Sequence, residues 1–308
     1  MLSSPAKPRL RRSRRTEEEA RSSDGYANMT NSHGRFVWYE LTTPDVKAAK
    51  AFYADVVGWG TREASTPAAA PMAYTLLTAG EEPVGGLLNL PERAGQTGVR
   101  PHWIGYVSVD DVDAAARRFE RLGGTVHVPP TTIPDVSRFS VVADAQTASL
   151  VLVKWQHPGP KQSAAVDKPG HVGWHELLAA DCEKALVFYR DVFGWQKAEA
   201  HTGPTGTYQL FSAGGQTIGG MFNKPPAAPE VFWLYYFNVG DVDAAAERVR
   251  AAGGQVLEGP SDIPSGRVAR CTDPQGAVFA LIGQRGQKTM GYFNASRDPD
   301  DRGRRWSW

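Results

Sequence analysis

Two glutamates occupy matching places in the chain, Glu40 in Trp38-Tyr39-Glu40-Leu41 and Glu176 in Trp174-His175-Glu176-Leu177. A carboxylate held among apolar side chains has a raised pKa and can serve as a general acid or base, which makes this pair the catalytic candidates. The alternative is structural, with each glutamate bonding an arginine or backbone amides and fixing its surroundings. Arg138 and Arg267, which also match each other, are the expected partners. Of the two roles the structural one is favoured, because a duplication retains fold-determining residues as readily as catalytic ones.

Aromatic residues supply a second kind of chemistry. Trp38, Trp103, Tyr106, Trp174, Trp233, Tyr235 and Phe237 fall on segments read as strands, as do Tyr74 and Tyr208. Those on one face of a curved sheet would line an apolar pocket for a planar or hydrophobic ligand, whereas rings on the other face would simply fill a core. Met221, after a glycine pair, is an adaptable pocket liner. The expected ligand-binding residues are therefore Trp38, Trp103, Tyr106, Arg138, Trp174, Met221, Trp233 and Arg267. No HxH, HxxxH or CxxC spacing points to a metal. His175 alternates away from Trp174 and reads as structural. Cys182 and Cys271 lack counterparts in the other half of the chain and do not suggest a nucleophile.

The elements that must hold these residues come from a tandem repeat. Trp38 to Leu41, Phe52-Tyr53 and Gly58-Trp59 all recur 136 residues later, and Asp111-Val-Asp-Ala-Ala-Ala recurs 130 residues later. Module 1 spans 34–155, module 2 spans 170–284, and 156–169 link them. Alternation over 36–42 predicts a strand with Trp38 and Glu40 on one side, Tyr39 and Leu41 on the other. Asp45 then caps a helix whose apolar positions Ala49, Phe52, Tyr53, Val56 and Val57 share one face, with Gly58 as its stop. Strands around 74–78 and 84–89 follow. The same order restarts with a strand at 103–109, a helix from Val112 and strands near 125–128, 139–143 and 149–153. The glycine pairs Gly85-Gly86 and Gly219-Gly220 signal a bend or a close approach.

The 308 residues carry 34 Lys+Arg against 33 Asp+Glu, so net charge gives no case for nucleic acid or membrane partners. No apolar run reaches the roughly 18–20 residues of a membrane span, and two cysteines fit a reducing cytoplasm. Residues 1–33 and 285–308 are polar tails. The basic run Arg9 to Arg15 reads as a solvated tail rather than an export signal or a nucleic-acid-binding arm, and Met29 is a possible alternative start.

The segments ELTTPDVKAAKAFYADVVGW, ELLAADCEKALVFYRDVFGW, VDDVDAAARRFERLGG, VGDVDAAAERVRAAGG and DPQGAVFALIG resemble the vicinal oxygen chelate superfamily of glyoxalases, bleomycin-resistance proteins, fosfomycin-resistance enzymes and extradiol dioxygenases. The resemblance implies an α+β fold of paired βαβββ units, each pair an open cup with helices on its convex face. It also implies a divalent metal on the concave face. However, the family's ligand positions fall on Trp38 and Trp174, on Ile104 or Trp103, on Leu234 or Trp233, and on Val151 and Ala280, none of which can coordinate. The expectation is a metal-free small-molecule binder that is monomeric or homodimeric. The alternative is a glyoxalase-like lyase or a hydroxylase- or dioxygenase-type enzyme using Glu40, Glu176 or an unrecognised metal. Module 2 is expected to hold the better site, around Trp174, Glu176, Met221 and Arg267. One reason is that Gly276 suits a positive-φ turn where module 1 has the β-branched Thr147.

Overall fold

A computed structural model describes residues 32–64, 74–90, 98–157, 167–203, 206–226 and 230–283. Both tails beyond Ser32 and Gly283, Met29 and most of the linker lie outside these residues. Module 1 runs β1 (Phe36–Thr43), α1 (Val46–Val57), β2 (Gly60–Glu63), β3 (Thr75–Ala79), β4 (Glu82–Asn89), β5 (His102–Ser108), α2 (Val112–Arg121), β6 (Thr125–Ile133), β7 (Ser137–Ala143) and β8 (Ser149–Trp155). Module 2 repeats it as β9 (Val172–Ala179), α3 (Cys182–Phe193), β10 (Gln196–Gly203), β11 (Gly206–Ala213), β12 (Gln216–Asn223), β13 (Phe232–Asn238), α4 (Val242–Ala251), β14 (Gln255–Ile263), β15 (Gly266–Thr272) and β16 (Val278–Gly283).

Each module forms one eight-stranded sheet, ordered β2-β3-β4-β1-β5-β8-β7-β6 and β10-β11-β12-β9-β13-β16-β15-β14. The two βαβββ units of a module meet where β1 pairs antiparallel with β5, and β9 with β13. The expected tandem α+β architecture is therefore the observed one. Its helices begin and end for local reasons. Asp45, Asp111, Asp181 and Asp241 each accept the backbone N–H three residues on. Gly58 and Gly194 close α1 and α3 in the left-handed conformation that a Cβ disfavours.

The sheets pack back to back, and the space between them is the protein's main core. Tyr39, Phe36, His175 and Tyr235 meet there across the module boundary. The Phe36 and His175 rings stack at 4.1 Å, Tyr39 Oη lies 2.6 Å from His175 Nε2, and Gly105 N–H donates to Tyr235 Oη. His175 Nδ1 lies 2.6 Å from the Ile218 carbonyl. That acceptor requires a proton on Nδ1, so Nε2 accepts from Tyr39. Burial pushes the His175 pKa down to about 4 and keeps the ring neutral.

Two further clasps occur in matched pairs across the module boundary. Tyr53 of α1 donates to Asp273 of module 2, and Tyr189 of α3 donates to Asp144 of module 1. Trp59 donates to the Gly170 carbonyl and Trp195 to that of Gly34. The aspartates sit in the matching β7–β8 and β15–β16 turns, where Thr147 and Gly276 adopt φ of 81° and 96°. The expected contrast between these turns is thus present in the backbone, with threonine in the strained role.

Candidate functional site

The sheet face turned away from this core carries Trp38 and Glu40 in module 1, Trp174 and Glu176 in module 2. Register fixes their neighbours. Across module 1, Trp38 lies opposite Tyr106, Tyr106 opposite Val151, Val151 opposite Val141, and Val141 opposite Val128. The equivalent row of module 2 is Trp174, Tyr236, Ala280, Arg270 and Glu258.

In module 1 Trp38, Tyr74, Tyr106 and Glu40 bond one another, while the indole N–H of the adjoining Trp155 is buried with no hydrogen-bond partner. Trp38 Nε1–H donates to Tyr74 Oη at 2.8 Å, and Tyr74 and Tyr106 both hydrogen-bond Glu40. Trp38 is only 4% exposed and meets Trp155 edge to face. Gly86 makes this possible, since a Cβ there would collide with the Tyr74 ring. Burial raises the Glu40 pKa to about 7 although the two phenols oppose the shift.

Module 2 uses the same parts less tightly. Trp174 donates to Tyr208 at 2.8 Å, and Tyr208 lies over Gly220 as Tyr74 does over Gly86. Tyr236 Oη reaches both Glu176 oxygens, at 2.8 and 2.9 Å. Burial raises the Glu176 pKa to about 7, against the Tyr236 hydrogen bond and the nearby Arg270 charge. Leu178, Leu234 and Ala280 form an apolar floor beside this group, flanked by Phe222, Phe232 and Val278. Trp174, Tyr208 and Tyr236 are half-buried and form its partly open rim.

Several expected site residues lie elsewhere. Trp103 and Trp233 point into the inter-module core and donate to Tyr53 and Tyr189, because strand alternation puts Tyr106 and Tyr236, not these tryptophans, beside the glutamates. Met221 pairs with Leu177 and is fully buried in the same core; its neighbour Gly220 is the residue facing Glu176. Arg138 and Arg267 are not partners of the glutamates. Each grips the first turn of its own module's second helix, through Asp113 and Asp243. The structure keeps Trp38, Glu40 and Tyr106 together in one cup, and Trp174 and Glu176 in the other. Sequence reasoning missed Tyr236 and Arg270. Arg270 stands where module 1 has Val141, in a strand whose two copies agree only at Arg138 and Arg267, so the repeat gave no signal for it.

The donors in these cups are one carboxylate each, with phenols and indoles. Among the described residues no three His, Cys, Asp or Glu side chains converge closely enough to hold a metal ion. This set does not fit the divalent ion that the fold implies, since hard cations need several oxygen or imidazole donors at once. Among the described residues, no helix is long and apolar enough to cross a membrane.

The sequence is 36% identical over 246 residues to the Mycobacterium tuberculosis protein named "Putative glyoxylase CFP32", covering 80% of this chain and 93% of that one. It is 30% identical over 266 residues to "Anthracycline biosynthesis protein DauV" of Streptomyces sp. (strain C5), covering 81% and 93%. In fold it is similar to the Mn(II)-bound glyoxalase from Novosphingobium aromaticivorans, with a TM-score of 0.54, 19% identity and 82% coverage of both chains. It is also similar to homoprotocatechuate 2,3-dioxygenase from B. fuscum, with a TM-score of 0.57, 13% identity, and 83% and 72% coverage. The sequence pattern of the Glyoxalase/Bleomycin resistance protein/Dioxygenase superfamily matches residues 35–147 and again 168–281, and the chain belongs to that superfamily.

Proposed function

We propose that the protein binds a small, planar, largely hydrophobic molecule in the cup of module 2 without a metal ion. One observation carries this reading: an apolar floor of Leu178, Leu234 and Ala280 lies beside half-buried Trp174, Tyr208 and Tyr236, with a single carboxyl, Glu176, among them. Flat rings stack well on such a surface, while the Glu176 carboxyl and Tyr236 hydroxyl give a hydroxyl or carbonyl edge something to bond. The relatives named for anthracycline biosynthesis support a polycyclic ligand.

The test is titration of metal-stripped protein with anthraquinone-2-carboxylate and with neutral 2-(hydroxymethyl)anthraquinone, read by quenching of tryptophan fluorescence. Saturable one-to-one binding of either probe, unchanged by added Mn(II), Fe(II) or Zn(II), is the expected result. Binding that appears only with metal, or no binding, overturns the reading.

A second reading rests on the Glu176 pKa of about 7. A carboxyl poised there can take a proton from carbon and return it, as a glyoxalase-like lyase would require, with Tyr236 holding the carboxylate in place. Exchange of the α-proton of a bound α-hydroxyketone with deuterated water, lost in Glu176→Gln, would establish it. Equal exchange by wild type and variant would exclude it.

A further inference from the structure

The row that crosses the two cups is alike at its Trp–Tyr end and unlike at its far end. Module 1 finishes with Val141 opposite Val128, and module 2 with Arg270 opposite Glu258. A valine pair in one copy and an arginine–glutamate pair in the other is a coordinated difference, since either member alone would leave a charge without its partner. The pair does not satisfy the guanidinium. Its Nη2 reaches Glu258 at 2.8 Å, whereas Nε is buried with no hydrogen-bond partner. The charge also acts across the cup, partly opposing the rise that burial gives the pKa of Glu176 and of Tyr236. The side chain as a whole is 34% exposed, so the guanidinium is within reach of a ligand in the cup although its Nε is covered.

We propose that Arg270 makes the module 2 cup selective for planar aromatic ligands bearing an oxyanion, a carboxylate or an ionised phenol, whose charged oxygen bonds the guanidinium while the ring system stacks on Trp174 and Tyr208. This rests on the binding function proposed above and specifies its ligand class. Glu258 holds the guanidinium in place by one terminal nitrogen, and the exposed part of the side chain remains for the ligand. Glu176, bonded to Tyr236, supplies a protonated carboxyl at neutral or lower pH and can donate to a second oxygen of the same edge. Module 1, with valines at the equivalent places, has no such selectivity.

Affinities of wild type, Arg270→Lys and the double variant Arg270→Val/Glu258→Val are to be measured with the same two anthraquinones and with alizarin above its first pKa. The double variant recreates the valine row that module 1 already accommodates, so folding is retained, as circular dichroism would check. Wild type is expected to prefer the carboxylate over the hydroxymethyl probe by at least about tenfold, the scale of one charge-assisted hydrogen bond. Arg270→Lys should keep part of this preference. The double variant should lose it by weakening carboxylate binding alone, with the neutral probe unchanged. Comparing alizarin with the carboxylate tells which oxyanion fits better. Equal affinity of wild type for charged and neutral probes, or a preference surviving in the double variant, overturns the proposal and leaves the binding function standing. Failure of wild type to bind any of the probes overturns both.

Discussion

The cups of modules 1 and 2 share a tryptophan, a glutamate and two tyrosines in register, yet they are finished differently. In module 1 two phenols bond one carboxyl, Trp38 is almost fully covered, and the far end of the row is valine. In module 2 Tyr208 bonds Trp174, Tyr236 alone bonds Glu176, Trp174 is half open and an arginine reaches in. On the opposite faces the Tyr53–Asp273 and Tyr189–Asp144 bonds still mirror each other, although Tyr39 and Gly105 of module 1 stand where module 2 has His175 and Tyr235. Both cups leave one buried N–H unbonded, Trp155 Nε1 in the first and Arg270 Nε in the second, so what separates them is exposure. Module 1 buries its indole, whereas module 2 leaves Trp174 half open with a partly exposed guanidinium on the same face.

The contrast is most exposed at the tryptophans. Trp38→Ala empties a buried site and should lower stability by about 3–5 kcal/mol while leaving probe affinity nearly unchanged. Trp174→Ala should cost clearly less stability but weaken anthraquinone binding at least tenfold. Equal affinity losses, or a larger one from Trp38→Ala, measured with thermal melts beside the titrations, would remove module 2 as the principal site.

Tyr53→Phe and Tyr189→Phe probe the symmetric interior. Each removes a hydroxyl that bonds both an aspartate and a tryptophan N–H. The buried partners left behind should make each cost about 2–3 kcal/mol. Urea melts giving similar losses support an equivalent interior, and a marked inequality would break the symmetry.

Protonation offers a third comparison. Glu40 and Glu176 have folded-state pKa values raised to about 7. Their stabilising contribution is therefore complete below the unfolded value near 4.5 and lost as pH rises through 7. His175, depressed to about 4, works the other way. Its contribution is full above about 6.5 and is lost as pH falls through 4. Melting temperature against pH should fall less steeply between pH 5 and 7 in Glu40→Gln and in Glu176→Gln, by similar amounts. Replacing His175 with Phe should flatten the acid side instead.

The smallest effect is expected at the turn. Thr147→Gly relieves a β-branched residue at φ 81° but adds unfolded-state freedom, for a net gain of about 0.5 kcal/mol. Gly276→Thr should lose a comparable amount, and a gain there in chemical denaturation would contradict the strain assigned to Thr147.

Much of this frame was legible in the residues. The alternation over 36–42 put Trp38 and Glu40 on one face, and the Asp caps and Gly stops bounded the helices. The failures came where both faces of a strand are buried. In Trp103-Ile104-Gly105-Tyr106 and in its copy, aromatic residues occur on both sides, so periodicity does not say which side is the cup. Met221 misled for the same reason. Arg138 and Arg267 matched each other in the repeat just as the glutamates do, but shared repetition does not imply contact. Arg270 was not legible, because its strand differs between the copies at nearly every position and one more difference drew no attention.

The crossed clasps would also fit two separate copies of one module. Tyr53 belongs to module 1 and its acceptor to module 2, but module 1 carries an equivalent acceptor of its own, Asp144, and module 2 an equivalent donor, Tyr189. Each module thus holds both halves of the bond and could make it with a second copy of itself. Carrying both copies in one chain frees the two cups from having to be the same, because a change written into one copy does not appear in the other. The valines at 128 and 141 and the charges at 258 and 270 show that freedom in use.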